Sequence, residues 1–335
     1  MVWLSEAEAS YDEFVALVSE TTSLAEVPFA DRIERGAVVY DVERLRGDGA
    51  LGGDPERSRS FAAELAFVFS DGPGIAAFEG AFDASVIDAA STEFLAIIDT
   101  ERAAGGATGD HFAKAGTNDR VWNALQKLAR RSPEVFTEYY ANDVLATASA
   151  AWLGPGYQVT SQVNVVKSGG QAQVPHRDYH LGFMNEARAE RFAAHIHQLS
   201  PVLTLQGAVA HCDMDIESGP TMYLPHSHKW TAGYVASGRA DVQAYFAEHH
   251  MQLPLRTGDA VFFNPAMFHG AGENRTTDVQ RMANLFQVGS AMGRTLERVD
   301  RRELVEVLYP TLLARVGRGG ARAGVDRVVA AAAEG

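Results

Sequence analysis

The chain changes character at Tyr157, and that change constrains its fold more than any other feature. Residues 157–167 alternate Gln158, Thr160, Gln162 and Asn164 with Val159, Val163 and Val165, a period of two that reads as a half-buried strand. Further strand-like runs lie at 202–212, 220–224, 260–263 and 283–288. Turns such as Glu217-Ser218-Gly219-Pro220 and Arg256-Thr257-Gly258-Asp259 separate them.

Upstream, helical spacing prevails. Ser5 with Glu8 reads as a capping box ahead of a helix carrying Tyr11, Phe14, Val15 and Val18. Residues 46–55, rich in Gly and Asp, read as a loop. A helix with Phe61, Leu65 and Val68 follows, closing at Asp71-Gly72-Pro73-Gly74, and 75–82 reads as a short strand. Asp83 is placed to cap a helix through Phe94 and Ile98, and Gly105, Gly106 and Gly109 then open a loop. Residues 119–131 and 133–152 read as two more helices, the second started by Pro133 and ended by Gly154-Pro155-Gly156.

Helices first and short strands second suit a mainly β fold with α: a cupin-like, double-sheet jelly roll with an N-terminal helical layer. One domain over 1–335 is expected, mainly helical to 156, jelly roll over 157–290, and a C-terminal extension from 291 whose Ala-rich end frays or forms a short helix.

The composition narrows the partners. With 43 acidic against 29 basic residues the formal net charge is −14, which argues against nucleic acid or an anionic membrane and leaves a small molecule. The single cysteine, Cys212, excludes an internal disulfide and suits a reducing cytoplasm, as does the lack of a basic-then-apolar leader at the N-terminus. Cys212 itself reads as a small hydrophobe beside the sheet.

In Pro175-His176-Arg177-Asp178-Tyr179-His180, an imidazole and a carboxylate two positions apart share one face of an extended segment, with Arg177 on the other. His269, directly after a strand and an Asn264-Pro265 turn, is the candidate third ligand. Two histidines and a carboxylate on one face of an octahedral metal form the facial triad that holds non-haem iron(II). Arg281, at the head of the next strand, has the guanidinium fork suited to clamping the far carboxylate of a chelating co-substrate. Arg275 lies in a turn and reads as solvent-facing.

Three ordered blocks carry a family resemblance: His176-Arg177-Asp178-Tyr179-His180; Glu217-Ser218-Gly219-Pro220 through Leu224-Pro225-His226-Ser227-His228-Lys229; and Phe268-His269-Gly270-Ala271-Gly272-Glu273-Asn274 through Arg281. The stretch from about 75 to 288 resembles the phytanoyl-CoA dioxygenase family of Fe(II)- and 2-oxoglutarate-dependent oxygenases. The resemblance implies a double-stranded β-helix core and iron held by His176, Asp178 and His269. It also implies Arg281 on the C5 carboxylate of 2-oxoglutarate, O2 as the second co-substrate, and hydroxylation with release of succinate and CO2. His226 stands where the family signature has Gly, and Ala271 where it often has Ser or Thr. The presence of Asp178 favours hydroxylation over halogenation.

Around this set, Gln162, Asn164 and Lys167 lie on the strand leading to the metal motif and are candidate contacts to co-substrate, whichever strand face points inward. His180 is either a substrate contact or a structural hydrogen-bonding residue. His228 reads as a loop anchor; His195, His197, His249 and His250 read as surface residues. Phe183, Met184 and Trp230 read as lid or core, and Trp122 and Trp152 as helix packing on the sheet. Two rival readings stand beside the oxygenase: a cupin-like metal isomerase or oxygenase without 2-oxoglutarate, and a non-catalytic jelly-roll metal- or ligand-binding protein.

Overall fold

The computed structural model describes residues 3–105, 118–180, 182–319 and 321–333. The strands are β1 (Arg32–Glu34), β2 (Ala37–Asp41), β3 (Ile75–Glu79), β4 (Asn118–Val121), β5 (Gln158–Val166), β6 (Asp178–Tyr179), β7 (Gly182–Phe183), β8 (Thr204–Ala210), β9 (Met222–Tyr223), β10 (Ala260–Phe263), β11 (His269–Gly270) and β12 (Arg281–Gly289). The major sheet has the order β1-β2-β3-β10-β8-β12-β5-β4, antiparallel except for the β2–β3 pair.

Opposite it lies a second, narrower sheet. β11 pairs with β9, His176 bridges His269, and Tyr223 bridges Met251. The order of strands around the two sheets, with β5, β12, β8 and β10 on one and the segments at 176, 269, 223 and 251 on the other, is that of a jelly roll, a double-stranded β-helix.

Period-two alternation places each side chain. Val159, Val163 and Val165 of β5, Leu205 and Val209 of β8, Phe262 of β10 and Met282, Phe286 and Val288 of β12 face the helices and form the main core. The alternate residues, among them Gln162 and Asn164 of β5, Gln206 of β8 and Arg281 of β12, face the space between the sheets. Gly207 interrupts the apolar face because a Cβ there would meet the Phe262 ring at 2.6 Å.

The helical layer is α1 (Tyr11–Val18), α2 (Val42–Gly47), α3 (Pro55–Ser70), α4 (Ala84–Ala103), α5 (Ala124–Arg131), α6 (Pro133–Tyr140) and α7 (Asp143–Leu153). Short helices α8 (Glu186–Ala189), α9 (Ala194–Leu199) and α10 (Gly233–Ala236) follow, then α11 (Ala240–His249), α12 (Arg301–Gly317) and α13 (Arg322–Ala332). α1 and α11 cover the outside of the narrow sheet, where Phe14, Trp230, Phe246 and Phe268 share a cluster. No helix among the described residues is long and apolar enough to cross a membrane.

Several elements depart from the sequence reading. Ser5 caps nothing: Glu6–Glu8 is a single tight turn, and α1 begins after Ser10, whose hydroxyl accepts from the Glu13 N–H at 3.2 Å. Residues 118–121 are a strand, because Asn118–Val121 zips antiparallel along β5 and only then does α5 start. The helix expected over 133–152 is two helices, broken where Asn142 caps α7 by accepting from the Leu145 N–H. Asp83 precedes α4 without a side-chain cap. Of the glycines assigned to the loop after α4, Gly106 and Gly109 lie outside the described residues.

The hairpin β1–β2 turns on Arg35 (φ +52°) and Gly36 (φ +89°), a two-residue turn whose sign of twist matches paired strands. The C-terminal helices are no frayed end. Leu304, Leu308, Val328, Ala331 and Ala332 join the main core, and Arg301 reaches the Val159 carbonyl at 2.8 Å.

Candidate active site

The turn after β10 and the segment before β6 run side by side. His176 and His269 exchange backbone hydrogen bonds, N to O at 3.0 Å and 3.1 Å, and the Asp178 N–H donates to the Pro265 carbonyl at 3.1 Å. This pairing brings the three side chains together. Candidate ligand atoms of His176, Asp178 and His269 lie within 4.8 Å of one another, with His176 Nε2 and His269 Nε2 each 3.8 Å from an Asp178 carboxylate oxygen.

Each imidazole is held by a carbonyl two residues upstream. Nδ1 of His176 lies 2.9 Å from the Val174 oxygen and Nδ1 of His269 lies 2.8 Å from the Met267 oxygen. A carbonyl only accepts, so Nδ1 carries the proton and Nε2 keeps its lone pair for the centre of the cluster. Burial, reinforced by the neighbouring His176, holds His269 well below the ordinary histidine range, which keeps that lone pair free at neutral pH. Two neutral imidazoles and a carboxylate are the donor set a divalent iron takes.

Arg177 turns away from this centre. Its guanidinium stacks over Phe268 and Tyr234, 4.7 Å and 5.3 Å from the ring centroids, and donates to the Ser227 carbonyl. The Ser227 hydroxyl in turn accepts from the Phe268 N–H at 2.8 Å, fixing the residue before His269. The neighbouring histidines tie the same loop to the end of α3. The His226 N–H donates to Pro73 O at 2.9 Å, and His228 Nε2 lies 2.9 Å from Ser70 O. His226 has φ +65°, the left-handed conformation that explains a Gly at this point of the family signature. His228 is thus a loop anchor, as its sequence context suggested.

The cluster opens into a cavity of about 750 Å³ between the two sheets. Arg281 lines it, only 6% exposed, donating from Nη1 to the Ser218 and Gly272 carbonyls at 3.2 Å and 3.4 Å. Among the described residues it has no carboxylate partner, and burial lowers its pKa to about 10. A buried guanidinium with no counter-charge on the wall of a cavity is a receptor for a carboxylate. Beside it, Leu253, Leu255, Val261 and Phe263 form an apolar wall, and Thr221 and Tyr223 add hydroxyls near the position where Ala271 lacks one.

The other sequence candidates separate. Gln162 and Asn164 line the cavity, and the Gln162 side-chain oxygen accepts from Arg120 at 2.6 Å. Lys167 sits just past the end of β5, pairs with Asp119 at 3.1 Å and does not line the cavity. Nor does His180: its backbone N–H donates to the Ser200 hydroxyl at 2.9 Å, because β6 ends at Tyr179 and the period of two ends with it. Phe183 does line the cavity, and at 58% exposure it sits at the rim, whereas Trp230 is core. Trp152 donates its indole N–H to the Pro201 and Thr204 carbonyls at 3.0 Å and 3.1 Å, while Trp122 lines the cavity beneath Arg120. His197, read as a surface residue, is buried: its ring stacks on Tyr234 and its Nε2 lies 3.0 Å from Ala189 O. Cys212 is half-buried at the sheet end, its sulfur accepting from the Met282 N–H.

Sequence reasoning missed Gln206, Glu297, Arg120 and Trp122. Gln206 was visible as the one long polar side chain in the apolar run of β8; the other three reach the cavity only through the fold.

The family profile of phytanoyl-CoA dioxygenase (PhyH) matches residues 70–283, more than half of the chain. The chain belongs to the phytanoyl-CoA dioxygenase family. This family uses iron and 2-oxoglutarate. Among curated relatives, dioxygenase trt7 of Aspergillus terreus is 29% identical over 121 residues, 36% of this chain and 37% of that protein. Dioxygenase cdmD of Talaromyces verruculosus is 29% identical over 116 residues, 35% of this chain and 34% of that protein. The matched part therefore spans little more than a third of these relatives' length. Among solved structures, HygX from Streptomyces hygroscopicus, crystallised with nickel and 2-oxoglutarate, aligns at a TM-score of 0.47. It shares 16% identity over 70% of this chain and 89% of that one.

Proposed function

We propose that the protein is an Fe(II)- and 2-oxoglutarate-dependent oxygenase that hydroxylates an unactivated C–H bond of a small organic molecule, with release of succinate and CO2. The observation that supports this most is the joint presence, in one cavity, of the His176–Asp178–His269 cluster and a buried arginine, Arg281, that has no carboxylate partner among the described residues. The first fits iron and the second fits the distal carboxylate of 2-oxoglutarate. A site that binds metal alone gives a buried guanidinium no partner, so Arg281 supports a carboxylate-bearing co-substrate beside the metal.

In this reading His176, Asp178 and His269 hold iron. Bound iron with 2-oxoglutarate and O2 supplies the oxidant for the C–H bond. The chain's own residues do the rest. The Val174 and Met267 carbonyls fix the two imidazoles in the tautomer that presents Nε2. Arg281 binds and orients the co-substrate, with Thr221 and Tyr223 as further polar contacts. The apolar wall of Leu253, Val261 and Phe263 excludes water from it, and Gln162 and Asn164 stand where the organic ligands lie. We further assign the chain to one cytoplasmic oxygenase domain; the incorporation of β1–β3 into the major sheet and of α12 and α13 into its core supports a single unit.

The test is 2-oxoglutarate turnover. Succinate should form only when Fe(II), 2-oxoglutarate and O2 are all present, and a true substrate should accelerate it and gain one oxygen atom. Substrate conversion that proceeds equally well without 2-oxoglutarate would favour the isomerase reading.

A further inference from the structure

Gln206 sits on β8, on the cavity face of the major sheet, and is almost wholly buried. Its neighbours on that face are the paired Gln287 of β12 and Phe263 of β10. From there its side-chain amide crosses to the facing segment and donates from Nε2 to Oδ2 of Asp178. The opposite end of the amide, Oε1, is buried with no hydrogen-bond partner among the described residues. The amide cannot be turned to satisfy that oxygen on the carboxylate, since two acceptors would then face each other.

Its orientation is therefore set by Asp178. A buried glutamine that leaves its carbonyl unsatisfied in order to reach a carboxylate has a specific task there.

We propose that Gln206 is a positioning residue for the metal centre. Resting on the reading of His176, Asp178 and His269 as iron ligands, it engages Oδ2 of Asp178, the oxygen 3.8 Å from His269 Nε2, while Oδ1 lies 3.8 Å from His176 Nε2. It thereby fixes the rotation of the carboxylate. Among the described residues the remaining hydrogen bonds of Asp178, from the Tyr234 hydroxyl to its carbonyl at 3.3 Å and from its own N–H to Pro265, hold the backbone and not the carboxylate. The two histidines each have a carbonyl to orient them, and Gln206 is the corresponding support for the third ligand.

The experiment compares Gln206→Met and Gln206→Leu with wild type. Both substitutions keep an apolar volume close to glutamine and remove the donor. Circular dichroism and thermal melting of the metal-free proteins establish that each is folded; if one is not, the other carries the comparison. Fe(II) affinity is then measured anaerobically, and the absorption spectrum of the Co(II)-substituted proteins reports ligand geometry. Loss of this support should weaken Fe(II) binding by about ten- to a hundredfold and alter the Co(II) spectrum, with metal-free stability little changed. Fe(II) affinity within twofold of wild type together with an unchanged Co(II) spectrum in a folded variant overturns the proposal. Failure of the wild-type protein itself to bind Fe(II) would instead overturn the metal-centre reading, so the two failures are distinguishable.

Discussion

At the centre of the site every candidate ligand has its own support: Val174 O for His176, Met267 O for His269 and the Gln206 amide for Asp178. Arg281 is the exception that points outward, a buried charge without a counter-ion among the described residues, held by two carbonyls and open to the cavity. Replacing it by Gln removes a charge-assisted clamp that contributes roughly 1.5–3 kcal/mol. Arg281→Gln should thus raise the 2-oxoglutarate concentration needed for half-maximal turnover by roughly ten- to a hundredfold while Fe(II) binding persists. A titration of turnover against 2-oxoglutarate checks this; an unchanged requirement would remove Arg281 from the co-substrate site. His176, Asp178, His269 and Arg281 were legible because each sits in a short pattern with a chemical meaning. Gln162 and Asn164 were half-legible: their alternation placed them on one strand face, but only the packing of Val159, Val163 and Val165 against helices shows which face meets the cavity. His180 shows the limit of the same argument, since alternation holds only while the strand lasts.

At the scale of elements, the loop from Gly219 to Lys229 is the joint between the two sheets and α3. Gly219 has φ +74°, and a Cβ there would fall 2.3 Å from the Glu273 carbonyl oxygen. Gly219→Ala meets both a left-handed backbone, costing roughly 1–2 kcal/mol, and overpacking against backbone, costing roughly 1–3 kcal/mol. Urea denaturation should show a loss of at least about 2 kcal/mol, and stability equal to wild type would show that this turn relaxes freely. The elements that sequence pattern did not find have separate causes. Asn118–Val121 is held as a strand by its ladder with β5, a tertiary contact that overrides a local helical reading. β1 and β2 were passed over because their turn is Arg35-Gly36, without the Asn or Asp that usually marks such a hairpin, although the buried run Ala37-Val38-Val39-Tyr40 was there to be seen.

The whole molecule carries a set of buried neutral histidines. Burial pushes His211 down to about 3, against Ser91 and Tyr139 in the helix–sheet core, His228 to about 3 behind Gly74, and His226 to about 4. In the unfolded chain these groups titrate near 6.5, so below that pH the unfolded state binds more protons than the folded one. Stability then falls with pH from about 6.5 to about 4, by up to about 1.4 kcal/mol per pH unit for each fully buried histidine. Buried Glu64, Asp259 and Glu297 have raised pKa values, mainly through burial, and act in the opposite sense: their destabilising charge is relieved as they protonate on acidification. With these three histidines and His269 strongly depressed, the net slope over pH 6.5–5 should be downward on acidification. Urea midpoints of the metal-free protein across this range test it, and stability that rises from pH 6.5 to pH 5 would contradict it. The jelly-roll class was legible at this scale from the order of helices and strands. The role of the C-terminal helices was not, since their core residues find partners far away in sequence, on α5, α6, α7 and β5.

The central claim, that His176, Asp178 and His269 would hold an iron to which 2-oxoglutarate binds with its far carboxylate on Arg281, is tested most directly by anaerobic titration of the protein with Fe(II) and 2-oxoglutarate. The chelate has a visible charge-transfer absorption that requires neither substrate nor turnover. Wild type should develop that band at one equivalent of iron, and Asp178→Ala should not, while remaining folded. A wild-type protein that gives no band, or an Asp178→Ala variant that gives the same band with the same affinity, would contradict the account.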